Sequence, residues 1–76
     1  MTIHEKHDVL IIQFEDKDWR YNTVGVQNVI RRIKSLGHVN KNPDGFIYDT
    51  VNREWVLKLT QENVKFAEQL KEELNL

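Results

Sequence analysis

The chain reads as an α+β domain of order strand, helix, strand, strand, helix: a small three-stranded sheet with two helices packed on one face. Three observations predict this. The run Val9-Leu10-Ile11-Ile12-Gln13-Phe14 is rich in β-branched and aromatic residues and is bounded by charge, with Leu10, Ile12 and Phe14 on one face of a strand. Val26, Val29, Ile30, Ile33 and Leu36 recur at helical spacing, and Val64, Ala67, Leu70 and Leu74 do so near the end. Between these two stripes, residues 46–57 alternate about a turn, as a β-hairpin does.

Taken in order, residues 1–7 offer no apolar pattern and are expected to be flexible. After the first strand, residues 15–21 are polar but hold Trp19 and Tyr21; Asn22 or Thr23 can then accept the free amide protons of a helix start. That helix ends at Gly37, a residue suited to the left-handed position after a helix. Its polar face carries Gln27, Asn28, Arg31 and Ser35, flanked by Arg32 and Lys34. Asn42-Pro43-Asp44-Gly45 belongs to a loop, because those residue types set turn geometry. With a four-residue loop over 50–53, Asp49 faces Glu54, Tyr48 faces Trp55, Ile47 faces Val56 and Phe46 faces Leu57. The opposed acids repel, which leaves room for a register slip. Thr60 caps the last helix, and Glu62 sits in its first turn, where the helix dipole favours an acid. Strand order is not readable; a parallel return through the first helix would make a right-handed crossover.

At 76 residues this is one domain, 1–76, with a small core and a stability on the order of a few kcal/mol. The absence of cysteine excludes disulfides and thiolate metal sites. The longest apolar run, Val9 to Ile12, is far short of a membrane span, and the first residues lack the apolar core of a signal peptide. A soluble, cytoplasmic protein with no membrane partner is therefore expected. The net charge of −1 is unevenly spread: −3 over residues 1–19, +4 over 20–58 and −2 over 59–76. A basic centre lies between acidic ends.

Nothing in the sequence supports catalysis. His4 and His7 lack a third firm metal ligand, and Glu15, Asp16 and Asp18 lack a partner base, a nucleophile or a glycine-rich phosphate loop. No enzyme, metal or cofactor is expected. Binding finds more support. Tyr48 and Trp55 offer rings for stacking on bases, and Arg31, Arg32 and Lys34 offer cations to phosphates. Arg53 in the hairpin loop, with Lys41 and Lys58, completes the basic centre. Each has a plainer reading: Trp55 as core, the helix cations as a solvated face, Arg53 as a partner of Asp49 or Glu54.

The pattern resembles the small HARP-type module found beside the motor domains of annealing helicases. The residues that carry the likeness are Leu10, Ile12 and Phe14 in the strand, Ile30, Ile33 and Gly37 in the helix and its end, and Tyr48, Asp49, Arg53 and Trp55 in the hairpin, within residues 8–74. The resemblance implies recognition of branched or single-to-double-strand DNA. The first functional expectation is thus a non-enzymatic DNA-binding module using Arg31, Arg32, Lys34, Lys41, Arg53, Lys58, Tyr48 and Trp55, with the helix cations and Arg53 on one face. The alternative is a small protein-interaction adaptor or inhibitor of the phage or mobile-element type, docking through Trp19 and Tyr21. An edge strand offers that partner, or a homodimer, a route by strand addition.

Overall fold

The computed structural model describes residues 1–75. Four strands and three helices follow the order β1 (Thr2–Lys6), β2 (Val9–Gln13), α1 (Asp16–Tyr21), α2 (Thr23–Lys34), β3 (Ile47–Asp49), β4 (Glu54–Lys58) and α3 (Gln61–Asn75). The strands form one sheet of order β1-β2-β4-β3, antiparallel at every pairing. The expected three-stranded sheet is therefore four-stranded, and the expected two helices are joined by a third. β1 and β2 make a hairpin over the two-residue turn His7-Asp8, with His7 in the left-handed region at φ 55°. β2 and β3 run parallel, but β4 lies between them.

The β3–β4 hairpin has the register read from the sequence: Ile47 pairs with Val56, Tyr48 with Trp55 and Asp49 with Glu54. The opposed acids do not shift it, because the loop engages one of them. The Asp49 carboxylate accepts hydrogen bonds from the Val51 and Asn52 backbone N–H groups (3.0 and 3.2 Å) and from Asn52 Nδ2 (2.9 Å).

The core lies between one sheet face and α2 and α3. Leu10, Ile12, Trp55 and Leu57 form its floor, Val26, Val29 and Ile33 enter from α2, Ala67, Leu70 and Leu74 from α3, and Met1 closes one side. The elements have identifiable ends. Asn22 caps α2 by accepting from the Gly25 N–H (3.0 Å), and its Nδ2 donates to the Leu74 carbonyl (2.9 Å), which ties α2 to the end of α3. Gly37, at φ 85°, follows α2, and Thr60 Oγ1 accepts from the Asn63 N–H (3.0 Å) to cap α3. Gly45 is the other glycine the fold needs: a Cβ there would collide with the Gly37 carbonyl oxygen. Just beyond it, the Phe46 N–H donates to that same carbonyl (2.9 Å). Among the described residues no helix is long and apolar enough to cross a membrane.

Because Leu57 is 1 % exposed at the centre of the floor, Leu57→Ala is expected to lower stability by about 2–5 kcal/mol in urea denaturation. That is a large part of the total for a domain of this size. Val51→Ala, at a site 87 % exposed, should stay within about 0.5 kcal/mol of the parent.

Candidate nucleic-acid interface

Trp55 stands at the junction of floor and surface. It is 8 % exposed, so it belongs to the core, yet one edge of it meets a cleft of about 650 Å³. Its ring lies 4.6 Å from Tyr48 and 5.6 Å from Phe46, centroid to centroid, both in tilted packing. Phe46 in turn meets His38 edge-on at 5.4 Å. These contacts align four rings along β3, β4 and the loop before them, within the range at which aromatic pairs attract beyond simple burial.

α1 supplies the opposite wall. Six residues are too few to hold a helix by periodicity, and its start is fixed by side-chain bonding instead: the Glu15 N–H donates to Asp18 Oδ2 (2.8 Å), and the Met1 ammonium donates to the same oxygen (2.6 Å). Burial, the largest single influence on Asp18, raises its pKa, but the ammonium bond, the Glu15 N–H and the nearby positive charges of the ammonium and Lys17 together hold the carboxyl below its ordinary value. Asp16 and Trp19, three apart on α1, both line the cleft. Trp19 packs edge-on against Phe14 with centroids 6.2 Å apart, and remains 42 % exposed.

Two cations border this aromatic cleft. Lys34, on the last turn of α2, sets its Nζ 6.0 Å from the Trp55 ring centroid. Arg53 lines the cleft from the hairpin loop and makes no ion pair among the described residues; its backbone is left-handed, at φ 55°. That conformation costs a side-chain-bearing residue about 1–2 kcal/mol relative to glycine.

Of the eight residues singled out from the sequence, Lys34, Tyr48, Arg53 and Trp55 meet at this cleft. The other four do not line it. Arg32 turns to α3, where it pairs with Glu73 and lies 5.5 Å from the Phe66 ring centroid. Arg31 is exposed on α2, and Lys41 is exposed in the loop before β3. Lys58 is 3.4 Å from Asp44 and lines two shallower grooves elsewhere. Arg32 and Lys34 therefore serve different neighbours, Arg32 on α3 and Lys34 at the cleft. Gln13, Phe14, Asp16, Trp19, Ile30 and Asn52 complete the cleft without having been singled out for it. The signal for α1 was Glu15 placed three residues before Asp18, a pair that can cap a helix start. Among the described residues no group of three or more His, Asp or Glu could hold a metal ion. Comparison with protein-family models, curated proteins and solved structures finds no match for this chain.

The Asp49 carboxyl lies below its ordinary pKa, chiefly because the Asn52 backbone N–H bonds its charged form, assisted by the Asn52 side chain and the Val51 N–H. A pKa lower in the folded chain than in the unfolded one means that the carboxylate stabilises the fold above the unfolded value. That contribution disappears as pH falls through the folded value, below about pH 4. Melting temperature followed from pH 5 to about pH 2 should therefore drop less steeply in Asp49→Asn, whose amide oxygen can still accept from the loop but does not titrate in this range. In Asp49→Ala the melting temperature should be lower already at pH 7.

Proposed function

We propose that this protein is a non-enzymatic nucleic-acid-binding module that takes an unpaired base into the cleft between α1 and the β3–β4 hairpin. The observation that supports this reading is the placement of two partly exposed rings, Trp19 and Tyr48, beside two cations, Lys34 and Arg53, around one opening. A single strand needs both things from a protein: a flat apolar surface for the base and positive charge for the phosphate beside it. Rings inside a cleft reach a base only when it has left the duplex stack. Branched DNA and single-to-double-strand junctions supply such bases, so they are the substrates of this reading. Asp16 repels phosphate from the α1 end, which directs the strand's backbone along the Lys34–Arg53 side.

A second reading, as a protein-interaction adaptor, rests on a different observation. Tyr21 and Val24 are 80 % and 68 % exposed, outside the cleft, and have no evident use in strand binding.

Fluorescence anisotropy of labelled forked, single-stranded and duplex DNA separates the two. Forked and single-stranded DNA should bind more tightly than duplex, and affinity should fall as salt rises. Trp19→Ala should weaken binding by roughly 1–3 kcal/mol, and Lys34→Ala or Arg53→Ala should each reduce the salt slope by about 1. Arg53→Gly should bind as weakly as Arg53→Ala while gaining about 1 kcal/mol in stability from relief of the left-handed backbone. An absence of binding at low salt would transfer the assignment to the adaptor.

A further inference from the structure

The sheet face turned away from the helices carries a charge pattern that the single chain leaves partly unmatched. The strand registers arrange its residues in rows that cross the sheet. Lys6, Val9 and Lys58 form one end row, and His4, Ile11, Val56 and Ile47 form the middle row. Thr2, Gln13, Glu54 and Asp49 form the other end row, one step beyond the last β2–β4 pair. One end carries the lysines and the other the acids, and the centre holds His4 and three apolar residues, of which Ile47 is 46 % exposed and Ile11 only 9 %.

The charges on this face are only partly matched within the chain: Asp49 is held by its own loop and Lys58 lies near Asp44. Asp49 and Glu54 stand directly opposed, an arrangement that destabilises a strand pair, and Glu54 makes no ion pair among the described residues. Lys6 makes none either, and Lys58 meets only Asp44, at 3.4 Å and with both side chains exposed.

We propose that this face is the interface of a symmetric homodimer, formed by a second copy packing sheet on sheet about a two-fold axis along the Ile11–Val56–Ile47 row. Rotation about that axis keeps each strand over its own counterpart but reverses its direction. The middle row then packs on itself, and each cationic row comes over the other copy's anionic row. Lys58 of each copy faces Glu54 of the other, and symmetry makes this contact twice. An axis parallel to the strands would instead exchange β2 with β4 and set Lys58 over Val9 and Glu54 over Gln13, leaving both charges without a partner, so the charge pattern selects the first arrangement. Four strands about 4.8 Å apart and at most five residues at about 3.3 Å each give a face of roughly 19 by 17 Å, about 300 Å² per copy, which is below the size of stable specific interfaces and fits only a weak dimer. Dimerisation should accordingly depend on concentration. Trp19, Lys34, Tyr48 and Trp55 line the cleft away from this face, while Gln13 belongs both to the rim of the cleft and to the anionic row.

Sedimentation equilibrium from micromolar to millimolar protein tests this, with circular dichroism to verify the fold of each variant. The parent should pass from monomer to dimer within that range. Lys58→Glu and Glu54→Lys should each weaken the dimer at least about tenfold, because each creates like-charge contacts across the axis. The two substitutions together should restore it to within about threefold of the parent, and Val56→Asp should leave only monomer. A parent that stays monomeric at millimolar concentration would overturn the proposal. So would a dimer unmoved by the single reversals, which would point to edge-strand pairing, or one that the combined reversal fails to restore.

Discussion

The pairing of β2 with β4 is the constraint on which the rest of the structure depends. Each of these strands belongs to a local hairpin, β1–β2 at the start of the chain and β3–β4 beyond its middle, and either hairpin alone is marginal in water. Joining them places Leu10 beside Leu57 and Ile12 beside Trp55, which makes one apolar floor wide enough for α2 and α3 to cover. A slip of one residue would turn Leu10 and Ile12 to the outer face and bring Ile11 and Val9 inward, so burial fixes the register as firmly as hydrogen bonding does. The same pairing builds the cleft: Gln13 ends β2 and Phe14 follows it beside the start of β4, and Trp55 is held between the floor and the opening.

The charges divide according to what surrounds them, and this explains how a chain of net charge −1 can still present cations to an anion. Arg32 is taken up by Glu73 and Phe66 in holding α2 to α3, and Lys58 lies beside Asp44. Lys34 has the Trp55 ring as its near neighbour, and Arg53 makes no ion pair among the described residues. An ammonium over an indole face keeps its charge available to a third group, whereas the Arg32 guanidinium has part of its charge offset by Glu73. Local environment therefore decides the matter more than the overall charge balance does.

Much of this was legible in the sequence where the cause is local. The hairpin register followed from a four-residue loop and period-two alternation; the end of α2 followed from Gly37, and the start of α3 from Thr60. β1 was not legible, because Ile3 is its only strongly apolar residue and His4, Glu5 and Lys6 read as solvated chain; its pairing with β2 makes it a strand. α1 was hidden by its brevity, and strand order depends on the non-local β2–β4 pairing. The site divides in the same way. Lys34, Tyr48, Arg53 and Trp55 were identifiable as cations and aromatics on predicted elements. Trp19, Phe14, Gln13 and Asp16 join them only once α1 has folded against the end of β2, and Arg32 leaves them because the rotation of α2 carries it to α3.

The central claim, that the cleft is where an unpaired strand binds, is tested most directly by titrating isotope-labelled protein with a short single-stranded oligonucleotide and following amide and indole N–H resonances by NMR. The account predicts that the largest changes fall on the Trp19 and Trp55 indoles and on the backbone of Lys34, Tyr48 and Arg53, while Ile11 and Val56 on the outer face stay still. Changes confined to the outer face or to the α2–α3 surface around Arg32, or no changes at low salt, would contradict it.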